Sequence, residues 1–179
     1  MSFISSRGTA DKPTPRWTAL ATITEAKEEL DAIDLQILRL LQENAFTSYE
    51  EVGSSVGLAE STVRYRVKKL QELGVILGFT CVVDLRKLGY DLMVFANIDA
   101  EAGKEKLAAQ KLTRMPNVIG LFAASGSSDL ISIVVAKNNE ELSQIAEKIR
   151  SLREITKISF SIALKTYKWE CATKVPLKG

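Results

Sequence analysis

The 179-residue chain contains no histidine. That removes Ser-His-Asp and Cys-His nucleophilic catalysis, histidine-ligated metal sites and histidine proton relays together. Cysteine is nearly as scarce. Cys81 and Cys171 stand far apart, form no CxxC pattern, and read as unpaired small apolar fillers in a reducing compartment. Long apolar runs are missing too: the longest, around Leu130 to Ala136, is far too short to span a bilayer, and the opening MSFISSRGTADKPTPRW lacks the apolar stretch of a signal peptide. The expectation is a soluble cytoplasmic protein with no membrane partner, cofactor, metal or catalytic site. An excess of one charge is also absent, with 24 Lys+Arg against 22 Asp+Glu. Residues 1–80 carry 9 basic and 11 acidic side chains, a net of −2, which leaves +4 for the remainder. Any polyanion site in the first half must therefore be local.

What is present is ordinary globular material, 46% hydrophobic and 26% charged, so composition alone points to no activity. Residues 1–29, with Pro13, Pro15 and scattered Ser, Thr and Gly, read as a flexible arm whose Arg7, Lys12 and Arg16 are too few to make a strong polyanion site. From Leu30 the pattern turns helical: Leu30, Ile33, Ile37, Leu40 and Leu41 recur at helical spacing, with Asp31 placed to cap and Asp34 three residues on. Ser48 opens a short second helix, YEEVGSSV, and Gly57-Leu58 leads into a third. Gly53 lies four residues before Gly57, where crossing helices need a small side chain, and Val52, Val56, Leu58 and Val63 supply apolar contacts. That is the pattern of a helix-turn-helix.

The third helix contains STVRYRVKKL, residues 61–70, in which four of ten residues are cationic. At about 100° per residue, Val63, Val67, Leu70 and Leu73 fall on one side and Ser61, Arg64, Tyr65 and Lys68 on the other. Arg66 belongs to neither: its spacing puts it beside Val63 and Leu70, where its stem must pack and its head must be paired, so it reads as structural. The outer strip has donors suited to phosphates and base edges. The helix ends at Gly74, a natural left-handed cap, and VILGFTCVVDL then reads as a strand or wing.

The second half alternates. A strand is expected around Leu92–Ile98, a helix around Gly103–Arg114 stopped by Pro116, and strands around Val118–Ala124 and Leu130–Ala136. A second helix follows around Asn139–Leu152, with Asn138 and Glu141 as a capping pair, and a last strand around Ile155–Leu164. Strand, helix, strand, strand, helix, strand is the ferredoxin-like arrangement, which hosts many functions and indicates none by itself.

Over Leu30 to Lys165 the sequence closely resembles the leucine-responsive regulatory protein / AsnC (Lrp/AsnC, feast/famine) family of prokaryotic transcription regulators. The resemblance rests on LDAIDLQILRLLQENA, VGLAESTVRYRVKKLQELGVILGF, DLRKLGY and the SGSSDL loop. It implies an α+β protein: a winged helix-turn-helix DNA-binding domain over 30–80, a linker over 81–90, a ferredoxin-like dimerisation and effector domain over 91–165, and a tail over 166–179. It implies double-stranded DNA as partner, a homodimer or higher homo-oligomer on pseudo-palindromic sites, and a small amino-acid effector.

Carried over by position, DNA contact falls to Ser61, Thr62, Arg64, Tyr65 and Lys68, and effector binding to Gly126, Ser127, Ser128 and Asp129. Two departures stand out. Ala59 occupies the place where the family commonly has a capping serine. Ser128 stands where the effector loop usually has an aromatic, so a small or polar amino acid is expected in place of leucine. A tight turn with a locally paired acid is the competing account of that loop. The competing functions are an architectural DNA-coating protein of little sequence preference and a sirohaem decarboxylase-like enzyme, and the absence of histidine argues against the latter.

Overall fold

The computed structural model describes residues 30–168 as two compact units, 30–82 and 83–168. The arm at 1–29 and the part of the tail beyond residue 168, Cys171 included, lie outside the described residues.

The first unit holds three helices: α1 (Ala32–Glu43), α2 (Tyr49–Val56) and α3 (Glu60–Glu72). Two begin at reciprocal caps. The Asp31 carboxylate accepts from the Asp34 N–H at 2.7 Å while Asp34 accepts from the Asp31 N–H at 3.4 Å. Ser48 Oγ accepts from the Glu51 N–H at 3.2 Å and Glu51 from the Ser48 N–H at 2.9 Å. Each closes backbone donors that a helix start leaves open.

Ile37 and Leu41 of α1, Val52 of α2, and Val63 and Val67 of α3 form one buried cluster, with Ile33, Tyr49, Val56 and Leu58 packed on it. Burial of each large aliphatic side chain contributes roughly 1.5–3 kcal/mol, and this cluster fixes how α2 and α3 cross. Gly74, at φ 73°, ends α3 as expected, and Leu70 O accepts from the Val75 and Ile76 N–H groups at 2.9 and 3.0 Å.

Three expectations for this region change. Leu73, at the end of the predicted apolar stripe, is 37% exposed because the helix ends there and the core does not reach it. No strand or wing occupies the stretch after Gly74: Leu77, Phe79, Val82 and Val83 are exposed and unladdered. β-branched residues favour a strand only where a neighbouring strand accepts them, and the described chain supplies none. Cys81, in the same stretch, is an exposed thiol and not a buried filler.

The second unit is a four-stranded antiparallel sheet with two helices: β1 (Leu92–Ala100), α4 (Glu105–Leu112), β2 (Val118–Ala123), β3 (Leu130–Ala136), α5 (Asn139–Arg150) and β4 (Ile155–Ile162), in sheet order β2-β3-β1-β4. Alternation decides the faces. Val94, Ala96 and Ile98 of β1 pair with Val134, Ser132 and Leu130 of β3, and all six are buried in a core with Ala108 and Leu112 of α4 and Ile145 and Ile149 of α5. Ser132 is the polar member of that core. Its hydroxyl donates to Gly120 O at 3.0 Å, where the β2–β3 register shifts.

The opposite face carries Phe95, Ile131, Ile133 and Phe122, with Phe95 and Phe122 exposed. The predicted cap of α5 is half realised. Asn138 accepts from the Glu141 N–H at 2.9 Å, but the Glu141 carboxylate returns to the Lys137 N–H at 2.6 Å, one residue outside the cap.

Candidate nucleic-acid interface and effector loop

The α2–α3 turn is built around Gly53. A Cβ there would lie 2.5 Å from Leu58 O, and Gly53 O accepts from the Leu58 N–H at 2.9 Å. The small residue is thus required by the approach of the turn's own carbonyl, more than by the crossing of two helices. Gly57 supplies the left-handed step at φ 72°, the conformation that favours glycine. Ala59 caps α3 with no side-chain bond, and Ala59 O accepts from the Thr62 and Val63 N–H groups at 3.0 and 3.1 Å.

This turn presents α3 with Val63, Val67 and Leu70 fully inward and Ser61, Thr62, Arg64, Tyr65 and Lys68 exposed along the other side. Tyr65 is 67% exposed. Arg66 is held apart from that strip, its Nη1 lying 2.7 Å from an Asp31 carboxylate oxygen and 2.8 Å from one of Asp34. The Asp34 N–H first, and the Arg66 guanidinium second, hold the Asp31 carboxyl below its ordinary value of 3.8. The two acids in turn raise Arg66. Arg66 is therefore a tie between α3 and the start of α1, as its spacing suggested.

Two strip cations have acids one turn away: Arg64 pairs with Glu60, and Lys68 lies 3.6 Å from Glu72. All four side chains are about half exposed or more, so solvent and salt weaken these pairs. Arg64 also lies over the Tyr49 ring, 5.2 Å from its centroid. Sequence periodicity assigns Tyr49 only to the opening of α2 and gives no sign of this contact.

In the second unit, the SGSSDL loop joins β2 to β3. Ala124 N donates to Asp129 O at 2.9 Å, and one Asp129 carboxylate oxygen accepts from the Ala100 N–H at 2.8 Å. Gly126 sits at φ 147°, open to solvent with Ser127, while Ser128 is half-buried. The Asp129 carboxylate thus reaches across to the end of β1 and does not pair within its own turn, and its second oxygen has no partner among the described residues. Near the same end of the sheet, the Lys111 ammonium, ahead of the Glu154 residue's own backbone N–H, holds the Glu154 carboxyl below 4.5 against the opposing effect of burial. That ion pair measures 2.7 Å.

At the other end of β1 and β3, a cleft of about 420 Å³ is bordered by Arg86, Tyr90, Leu92, Val135 and Lys165. The sequence reading did not anticipate it, because its walls come from three separated segments. Among the described residues, no cluster of three potential metal ligands occurs, and no helix is long and apolar enough to cross a membrane.

Residues 30–71 match the AsnC-type helix-turn-helix domain, and residues 93–172 match the Lrp/AsnC ligand binding domain. The HTH-type transcriptional regulator FL11 of Pyrococcus horikoshii is 34% identical over 83% of this chain and 97% of its own length. The chain belongs to the Lrp/AsnC family. Its Lrp/AsnC relatives include the HTH-type transcriptional regulator Ptr1 of Methanocaldococcus jannaschii, 34% identical over 78% of this chain and 95% of that one. The solved AsnC of E. coli superposes with a TM-score of 0.76 at 27% identity, covering 80% of this chain and 97% of that structure. The protein is an Lrp/AsnC-type transcription regulator with a DNA-binding helix-turn-helix and a ligand-binding domain. Both of these archaeal relatives are named as transcriptional regulators.

Proposed function

We propose that α3 reads double-stranded DNA through Ser61, Thr62, Arg64, Tyr65 and Lys68, and that 30–80 is the DNA-binding domain while 91–165 dimerises and takes the effector. The observation that carries this is the clean division of α3: its apolar residues and Arg66 are committed to the fold, and every polar side chain named in the strip is exposed. Dimerisation fits the apolar sheet face of Phe95, Phe122, Ile131 and Ile133, which the helices of the unit do not cover. Two copies then present two α3 helices to half-sites about one helical turn, or multiples of it, apart. For the effector loop, the free oxygen of Asp129 suits an ammonium and the exposed Gly126 and Ser127, beside the half-buried Ser128, suit a carboxylate, with no aromatic in the loop to pack a long side chain. A small or polar amino acid is the class that fits.

The test is binding to a selected site and to random duplex across a salt series. Arg64→Ala costs about 1–3 kcal/mol on the selected site and relaxes preference at one base pair per half-site, whereas Lys68→Ala weakens all duplexes alike and lowers the salt slope by about one. Equal losses on both duplexes for both variants would mark a DNA-coating protein that reads no bases.

A further inference from the structure

Arg64 is gripped twice, and one of the grips comes from a different helix. Glu60, one turn earlier on α3, takes an N–H of Nη2, in the acid-before-base order that a helix favours. Tyr49, the first residue of α2, places its ring 5.2 Å from the guanidinium carbon, within the range of a cation–π contact. Tyr49 is itself anchored: it is half-buried against the cluster that joins the three helices, and it follows the reciprocal Ser48–Glu51 cap.

A guanidinium has five N–H groups in one plane. The carboxylate engages one and the ring covers a face, so donors remain along the rest of the plane. A guanine needs two of them, aimed side by side at O6 and N7. An unrestrained arginine reaches that geometry only by giving up rotamer freedom at the moment of binding, a cost of about 0.5–1.5 kcal/mol per immobilised side chain.

We infer that Tyr49 and Glu60 are positioning residues that set the Arg64 guanidinium in advance for guanine, and so determine base preference at one position of each half-site. The inference rests on the reading of α3 as the DNA-contacting helix. Tyr49 touches no base; it acts through Arg64. Because it stands on α2, the seating of the two helices enters directly into sequence discrimination.

The experiment measures affinity of the full chain for a half-site pair selected from a randomised duplex pool, and for all single-base substitutions of it, with random duplex as reference. Tyr49→Phe keeps the ring and reproduces the parent profile. Tyr49→Leu keeps apolar packing but loses the ring face, and its preference at the Arg64 position falls about two- to ten-fold, the range set by the freed side chain, with other positions and random-duplex affinity unchanged. Glu60→Gln lowers preference at that same position and, having removed an acid from beside the phosphates, binds random duplex more tightly at low salt.

The proposal is overturned if Tyr49→Leu retains the parent preference there. It is equally overturned if the loss spreads evenly over all positions together with a lower melting temperature, the mark of a merely structural residue. Arg64→Ala separates the two layers. If it leaves every position unchanged, the reading of α3 fails; if it flattens one position while Tyr49→Leu and Glu60→Gln flatten none, only the positioning role fails.

Discussion

Gly53→Ala sets two effects of opposite sign against each other. Gly53 lies inside α2, and in an exposed helix interior alanine in place of glycine stabilises by roughly 0.5–1 kcal/mol. Here the new methyl would stand 2.5 Å from Leu58 O, below the 3.0 Å that real Cβ contacts keep. The atom it meets is backbone and cannot rotate aside. The carbonyl also belongs to the turn closed by the Leu58 N–H to Gly53 O bond, and Leu58 packs on the same cluster as Val52 and Val63. Moving it strains that bond, worth about 0.5–1.5 kcal/mol net, and overpacks the cluster at about 1–3 kcal/mol. The clash therefore wins, and the variant is expected to lose about 0.5–4 kcal/mol net.

Urea unfolding followed by far-ultraviolet circular dichroism reads it through the helical signal. Gly57→Ala serves as the comparison. Nothing lies within 4 Å of a Cβ there, so only the left-handed backbone at φ 72° costs, at about 1–2 kcal/mol. A Gly53→Ala protein more stable than the parent would refute the close approach, since helix propensity would then act unopposed.

Arg66→Ala should destabilise the helical unit by more than the roughly 0–1 kcal/mol of a fully exposed pair, without altering base preference. Its deficit follows pH. Asp31 is depressed below 3.8 by the Asp34 N–H and by Arg66, so its stabilisation is present above that value and is lost as pH falls through the lower folded value. The gap between parent and variant is thus widest above pH 3.8 and narrows below it, which an unfolding series across pH checks; a constant gap would contradict the tie. Asp129→Asn keeps an acceptor for the Ala100 N–H but removes the charge, so folding should persist while the amino-acid response disappears. Calorimetric titration against the twenty amino acids tests this, and tight leucine binding would defeat the size argument. Phe95→Lys should shift the proposed dimer toward monomer in sedimentation, and a parent protein that is already monomeric at micromolar concentration would remove the basis for the covered sheet face.

Local chemistry made most of the fold legible. Asp31, Ser48 and Asn138 sit at helix starts because their side chains can meet orphan N–H groups within three residues, an interaction visible in sequence. The β3 stretch LISIVVA was placed by its composition between turn residues. Arg66 was legible for a related reason, since a guanidinium beside Val63 and Leu70 has to find a partner. Where partners come from afar, the residues gave no notice. The stretch after Gly74 has strand composition and no strand to pair with. Tyr49 meets Arg64 only once α2 and α3 have crossed. The acceptance of the Ala100 N–H by Asp129 depends on β1 and β3 lying side by side, and the 420 Å³ cleft needs three segments at once.

The Asp31–Arg66–Asp34 tie divides the labour along α3 in a way that bears on how such a regulator changes over time. The acids that start α1 also anchor α3, so residue 66 ties the two helices together and a change there costs stability. Residues 61, 62, 65 and 68 lie outside the buried cluster and the tie. With α3 reading DNA as proposed, a lineage carrying this arrangement can rewrite its target sequence one exposed residue at a time while the scaffold that aims the helix stays the same. Duplicated copies of one gene can then part company in the promoters they occupy long before they part company in shape.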